Sequence, residues 1–217
     1  MHAETENIEK RAVAEAAAEL VPNGAKVGLG TGSTVAFLLP ALAARGLEIR
    51  CVATSPATEE AARALGLIVE PLDELGALDI AIDGADQIAP DRWLVKGGGA
   101  AHTREKIVAA AARRFVVVAS SDKLVEALRP PVPLEILRFG AATTLAALSP
   151  AELRDVPPSP DGTLIADYLG PVGDPAALAA RLSGTPGVVE HGLFPPALVS
   201  EVLVAHGTDV ERVTSRS

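Results

Sequence analysis

The chain is poor in aromatic rings, in lysine and in sulfur. Phe, Trp and Tyr make up 3 % of the 217 residues, against 48 % hydrophobic residues. Its core must therefore be packed from Ala, Val, Leu and Ile rather than from rings. Cys51 is the one cysteine, which excludes an intrachain disulfide. Its setting in the apolar run "IRCVAT" suits a buried structural thiol rather than a nucleophile. No apolar run reaches the roughly 18 residues of a membrane span, and the opening "MHAETENIEKRAVAEAAAEL" lacks the basic-then-apolar order of a secretory signal. A cytoplasmic protein with no membrane partner is expected. The formal net charge of −9 argues against nucleic acid as well, because phosphate backbones reward a basic face. An anionic ligand must then be met by local positive groups. The five lysines are Lys10, Lys26, Lys96, Lys106 and Lys123, and three of them fall between 96 and 123.

What is present is an alternation. β-like runs at 25–30, 48–54, 67–70, 79–83 and 114–119 are separated by helix-period segments at 34–45, 56–66 and 103–113, after an opening helix over 6–20. This predicts an α/β fold with an open parallel, Rossmann-like sheet and crossover helices. Pro40 lies inside one such segment and is expected to kink or end it. After "RPPVPLEILRF" the order becomes strand, helix, two strands joined by the turn "SPDG" (159–162), helix, strand. That is the order of a ferredoxin-like, split-βαβ domain. The expected division is 1–127 plus about 204–217 for the sheet domain and 128–203 for the smaller α+β domain, with the run 199–207 returning to the first sheet.

Polar motifs follow four of the predicted strands: "GLGTGST" (28–34), "TSPATEE" (54–60), "DGAD" (83–86) and "SSDK" (120–123). In an open parallel sheet ligands bind at the carboxyl ends of the strands, so all four should line one edge. "GLGTGST" could be a dinucleotide fingerprint, but it departs from the pattern, since Ser33 replaces the third glycine and the next strand ends in Thr54-Ser55 without an acidic residue. No Gly-Lys-Ser/Thr follows, so it is not a P-loop. A glycine turn opening a helix, with the hydroxyls of Thr31, Ser33 and Thr34, suits a small phosphate or a sugar hydroxyl; alternatively, Ser33 or Thr34 serves only as a helix N-cap. Asp83 and Asp86, three residues apart at a strand end, suit proton transfer to and from oxygen, or else simply cap a turn.

The stretch "LVKGGGAAHTREKIV" (94–108) sets Gly97, Gly98 and Gly99 between Lys96 and the start of a helix. Bare glycines let the backbone approach a ligand. Thr103 is expected to N-cap that helix and leave Glu105 in its first turn, where it either acts as a base or only complements the helix dipole. His102, Glu105, Asp83 and Asp86 also read as a mixed imidazole and carboxylate metal site, although Lys96 balances the aspartates without a cation. Lys123 is either a phosphate contact or a solvated loop lysine.

Taken together, "GLGTGST", "TSPAT", "DIAIDGAD", "LVKGGGAAHTREKIV", "SSDKLV" and "GTPGVVEHGLF" resemble, in order and spacing, the type A ribose-5-phosphate isomerases, across essentially the whole chain. The resemblance implies a two-domain α/β enzyme that interconverts D-ribose 5-phosphate and D-ribulose 5-phosphate in the non-oxidative branch of the pentose phosphate pathway. It implies no metal and no organic cofactor, and a homodimer or dimer of dimers. It further implies that Thr31, Gly32, Ser33, Thr34, Asp83, Gly84, Ala85, Asp86, Lys96, Gly97, Gly98, Gly99 and Lys123 contact substrate and that Glu105 is the proton acceptor, with Asp83, Asp86 and Lys96 assisting. Three departures from the family pattern stand out: Gln87 in place of a glutamate, His102 in place of an aliphatic residue, and "SPDGT" in place of an Asn-Gly-Asn turn.

Overall fold

The runs 27–29, 80–82 and 115–119 are buried at every position, the pattern of strands covered on both faces by helices. In the computed structural model, which describes residues 2–214, the chain begins with α1 (His2–Ala18), β1 (Lys26–Leu29), α2 (Ser33–Ala44), β2 (Arg50–Ala53), α3 (Pro56–Ala64), β3 (Ile68–Val69), α4 (Leu72–Leu75) and β4 (Ile80–Gly84). It continues with β5 (Gln87–Ile88), β6 (Leu94–Val95), α5 (His102–Ala111), β7 (Phe115–Ser120), β8 (Val132–Ile136), α6 (Ala141–Ala147) and β9 (Ala151–Leu153). It ends with β10 (Leu164–Tyr168), α7 (Pro175–Ser183), β11 (Val188–His191), β12 (Leu193–Phe194), β13 (Glu201–His206) and β14 (Asp209–Thr214).

The chain divides into two units. The first comprises the residues up to Gly84, Arg104–Lys123 and those from Ala197 on. Its sheet has the order β14-β13-β7-β4-β1-β2-β3, parallel throughout except for β14, which runs antiparallel to β13. Val13, Ala17, Val27, Leu38, Ile82 and Val118 belong to one buried cluster free of aromatic rings. Ser55 begins α3 as a true N-cap, its hydroxyl accepting the Thr58 N–H at 3.2 Å with Pro56 just inside. Pro40 does not end its helix; α2 runs on to Ala44. Its ring and the Ala36 carbonyl it deprives of a donor lie on exposed residues, so that carbonyl is not left in an apolar core.

The second unit holds Ala85–Thr103 and Leu124–Pro196. Its four-stranded antiparallel sheet has the order β11-β8-β10-β9, which with α6 and α7 gives the split-βαβ arrangement. Leu134, Ile136, Leu148, Leu178 and Leu182 form its core. The loop 154–163 is longer than a hairpin turn. Prolines 157, 158 and 160 cannot donate to a ladder, and the loop closes on itself through Ser159 and Thr163, whose hydroxyls lie 2.6 Å apart.

The division differs from the expected one in three places. Residues 124–127, expected in the sheet domain, group with the smaller unit, where the Val125 N–H donates to the Ile88 carbonyl at 3.0 Å. Residues 85–103 group with the smaller unit, because β5 pairs with β6 and β6 with β12, and because Ala89 and Val95 join its core. Residues 197–203 group with the larger unit, where β13 extends the parallel sheet beside β7. Residues 215–217 of the expected C-terminal segment lie outside the described residues.

Candidate active site

In the first unit β1, β2, β4 and β7 are parallel neighbours, so the segments that follow them lie along one edge of the sheet. The Thr31 N–H donates to Asp83 Oδ1 at 3.1 Å, and the same oxygen accepts the Gly84 N–H at 2.7 Å. Gly30 makes this possible: a β-carbon there would overlap the Asp83 carboxylate. Two supports come from the neighbouring strand end. Thr58 Oγ1 donates to the Gly30 carbonyl at 2.9 Å, and the Thr54 hydroxyl lies 2.7 Å from that of Thr31. The "TSPAT" motif thus buttresses the glycine turn.

Neither Ser33 nor Thr34 is the N-cap of α2. Gly32 holds that place at φ 118° with no side-chain cap bond, and Ser33 is the first helical residue. Both hydroxyls therefore sit in the first turn, among backbone N–H groups that favour an anion. Asp83 and Glu105 are each 3 % exposed, and Glu105 lies in the first turn of α5, as its spacing predicts.

Lys123 ends a short 3-10 turn after β7, with its Nζ 2.6 Å from Asp122 Oδ2. Partial burial pushes the Asp122 carboxyl up, but hydrogen bonds from Lys123 and Ser120 outweigh it and hold the group below the usual carboxylate range. The adjacent Ser121 is tied to α1, its N–H donating to Glu9 Oε2 at 2.9 Å. A groove of about 710 Å³ along α1, lined by Arg11, Glu15 and Phe37 among others, contains none of the residues named from the sequence.

In the second unit Asp86 follows Ala85 and caps the glycine loop, its Oδ2 accepting the Gly98 N–H at 2.8 Å. Lys96 is 2 % exposed; its ammonium stands 5.3 Å from the centre of the Phe194 ring, and its N–H donates to the Gly192 carbonyl. Gly97 adopts φ 106°, and a β-carbon there would come within 2.7 Å of His102 Nδ1 and 2.8 Å of Pro133. Gly98 and Gly99 complete the bare stretch.

Thr103 does not cap α5. The helix begins at His102, and the Thr103 N–H donates instead to Glu135 Oε1 at 3.1 Å. Glu135 is buried and also accepts from Thr163 Oγ1 at 2.6 Å. Its Oε1 stands 3.9 Å from Nδ1 of the fully buried His102. A carboxylate 32 residues away thus does the work expected of Thr103, and no local signal marks it. Arg154, also absent from the sequence reading, donates from Nη1 to the Gly97 carbonyl at 3.0 Å. Gln87 bonds to the backbone of Arg129 in both directions, at 2.8 Å each, a structural use of this departure from the family pattern.

Among the described residues, no three or more His, Cys, Asp or Glu side chains are gathered as a metal ion would require. Cys51 is fully buried, and burial, with the charge of Glu70, pushes its thiol up to about 12. It has no nucleophilic character at neutral pH.

The arrangement has close counterparts. The family described as Ribose 5-phosphate isomerase A (phosphoriboisomerase A) matches residues 50–209. The ribose-5-phosphate isomerase A of Caulobacter vibrioides is 48 % identical, covering 93 % of this chain and 94 % of that protein. The ribose 5-phosphate isomerase A of Neisseria gonorrhoeae superposes with a TM-score of 0.93 at 30 % identity, covering 98 % of each chain. A D-ribose-5-phosphate isomerase solved in complex with phospho-erythronic acid superposes with a TM-score of 0.89 at 32 % identity, over 95 % of this chain and 97 % of that one. Fold, motifs and similarity agree: the chain belongs to the ribose 5-phosphate isomerase A family.

Proposed function

We propose that the chain interconverts D-ribose 5-phosphate and D-ribulose 5-phosphate through an enediolate, with Glu105 as the base that moves the carbon proton. The observation that carries this reading is a carboxylate only 3 % exposed in the first turn of the helix that follows a lysine and three glycines, in a chain of this family. Moving the carbonyl from carbon 1 to carbon 2 requires removal of a weakly acidic C–H proton. Glu105 takes the proton from carbon 2 and returns it to carbon 1. The proton of the carbon-2 hydroxyl leaves, carbon-1 oxygen gains one, and the double bond to oxygen ends on carbon 2. Asp83 and Asp86 handle these oxygen protons and help open the furanose ring. Lys96, a buried ammonium, stabilises the negative charge that develops on oxygen, where a low-dielectric setting makes it most effective.

The phosphate is assigned to Lys123 and to the first turn of α2, with Thr31, Gly32, Ser33 and Thr34, while Gly84, Ala85, Gly97, Gly98 and Gly99 admit the sugar backbone. A relative solved in complex with phospho-erythronic acid supports a sugar-phosphate substrate: that ligand joins a phosphate to a planar carboxylate, which shares shape and charge with an enediolate. The reaction as assigned uses no metal. Self-association as a dimer or dimer of dimers belongs to the same proposal. Phe139, 93 % exposed and near Leu137, is the kind of apolar side chain such an interface covers. No helix among the described residues is long and apolar enough to cross a membrane, in keeping with a proposed cytoplasmic setting.

A turnover assay with ribose 5-phosphate after exhaustive chelation tests the reading. Ribulose 5-phosphate should form at an undiminished rate. Activity that disappears on chelation and returns with a stoichiometric ion would replace it with a metal-dependent mechanism. Binding without turnover would make the chain a sugar-phosphate sensor.

A further inference from the structure

Arg154 lies just beyond β9, 55 to 57 residues from the glycine loop in sequence, and none of the motifs contains it. Its guanidinium is nevertheless at the centre of that loop's hydrogen bonding. One edge forms a fork with Asp167 on β10: Nε donates to Oδ2 at 2.9 Å, and Nη2 donates to Oδ1. The remaining nitrogen, Nη1, donates to the Gly97 carbonyl at 3.0 Å and reaches that of Gly98 at 3.4 Å. On the other side of the same loop the Gly98 N–H donates to Asp86. The hydrogen bonds to Asp167 and the charges of Asp167 and Asp86 outweigh the cost of partial burial and keep the guanidinium protonated.

Gly97 needs such a restraint. A glycine at φ 106° has no β-carbon to limit it, and its neighbours Gly98 and Gly99 are equally permissive. Three glycines in a row would sample many backbone states, and the carbonyls of a free loop would turn to water. Two carbonyls drawn to one fixed guanidinium leave their N–H groups pointing the other way, and one of those N–H groups orients Asp86. A planar fork does this as a point-like ammonium cannot.

We infer that Arg154, anchored by Asp167, is a positioning residue for the isomerase reaction: it holds the Gly97–Gly98 backbone so that Asp86 and Lys96 keep the geometry the reaction needs. The inference rests on the assignment of Asp86 and Lys96 to catalysis made above. It concerns kcat rather than KM, because the groups it orders are those assigned to oxygen protons and developing charge rather than to the phosphate.

The test compares the unsubstituted protein with Arg154→Ala, Arg154→Lys, Asp167→Asn and the double variant Arg154→Ala/Asp167→Asn, in the ribose 5-phosphate assay with circular dichroism as a check on folding. Misplacing a catalytic group by about 1 Å costs about 100-fold, so Arg154→Ala should lower kcat by about 10- to 100-fold with KM changed by less than about threefold. Added guanidinium ion should restore a substantial part of the loss, since the Arg154 side chain is 20 % exposed and its removal leaves a space between Asp167 and the Gly97 carbonyl that the ion can enter from solvent. Arg154→Lys should recover less than guanidinium does. Asp167→Asn should lower kcat in the same direction, and the double variant should be no worse than Arg154→Ala, because the two act as one device. A wild-type kcat in Arg154→Ala overturns the inference. So does a loss that guanidinium leaves untouched and that adds to that of Asp167→Asn, which would mark a purely structural ion pair. If Arg154→Ala does not fold, Arg154→Lys decides: a folded variant with wild-type kcat overturns the inference, and a folded variant with a lower kcat at unchanged KM upholds it. Failure of the unsubstituted protein to isomerise ribose 5-phosphate would overturn the isomerase reading itself, and this inference with it.

Discussion

The backbone N–H of Thr31 and the carboxylate of Asp83 meet at 3.1 Å across two adjacent parallel strands, in a space kept open by Gly30. This contact joins the residue that begins the loop assigned to the phosphate to one assigned to proton transfer. Gly30→Ala should disturb both, because its β-carbon would overlap the Asp83 carboxylate. Overpacking of this kind costs about 1 to 3 kcal/mol, so the variant should melt earlier and lose at least about tenfold in kcat/KM as the carboxylate is displaced. Thermal unfolding and turnover measured together check this; a variant unchanged in both would show that Asp83 has room to move.

Glu105→Gln keeps shape and hydrogen bonding but cannot accept a proton. It should cut kcat by roughly two to four orders of magnitude while substrate binding changes little. The same variant should stop solvent deuterium from entering carbon 1 of the ketose, a direct report of proton transfer at carbon. Persistent exchange would assign the base elsewhere and leave Glu105 as a complement to its helix dipole.

Lys123→Ala should raise KM for ribose 5-phosphate by about one to two orders of magnitude, the loss expected for one charge-assisted hydrogen bond. The Asp122 carboxyl, held below its usual range, stays ionised at neutral pH and keeps Lys123 in place. An unchanged KM would return Lys123 to the role of a loop lysine paired with Asp122.

Cys51 should resist alkylation at pH 8 in the native protein and react fully in denaturant, because burial pushes its thiol up to about 12. An unfolded thiol ionises near about 8.5. The folded value is the higher one, so the contribution to stability is intact below about pH 8.5 and falls as pH rises toward 12. Cys51→Ala should flatten that part of the stability profile. Rapid native labelling, or an unaltered slope, would contradict the burial argument.

The local pattern of the chain was enough for the strands at 27–29, 80–82 and 115–119, for the split-βαβ order beyond residue 132, and for Glu105 in a first helical turn, because each rests on periodicity or on neighbours within one turn. The motifs were enough for the family. What depended on the tertiary structure were the interactions between residues far apart in sequence. Thr103 looked like a helix cap, yet Glu135 takes its N–H. Ser33 and Thr34 looked like caps, yet Gly32 occupies the position and leaves their hydroxyls in the first turn. Residues 85–103 followed the parallel sheet in sequence, yet their backbone bonds go to β12. Arg154 carried no motif at all, and its hold on Gly97 exists because β9 and β10 bring a guanidinium and its carboxylate partner beside a loop 57 residues earlier. A sequence states which backbone groups need partners. Which partners they obtain is decided by the packing of the sheets, since a carboxylate or guanidinium supplied from a distant strand satisfies a buried N–H or carbonyl as well as any neighbour does.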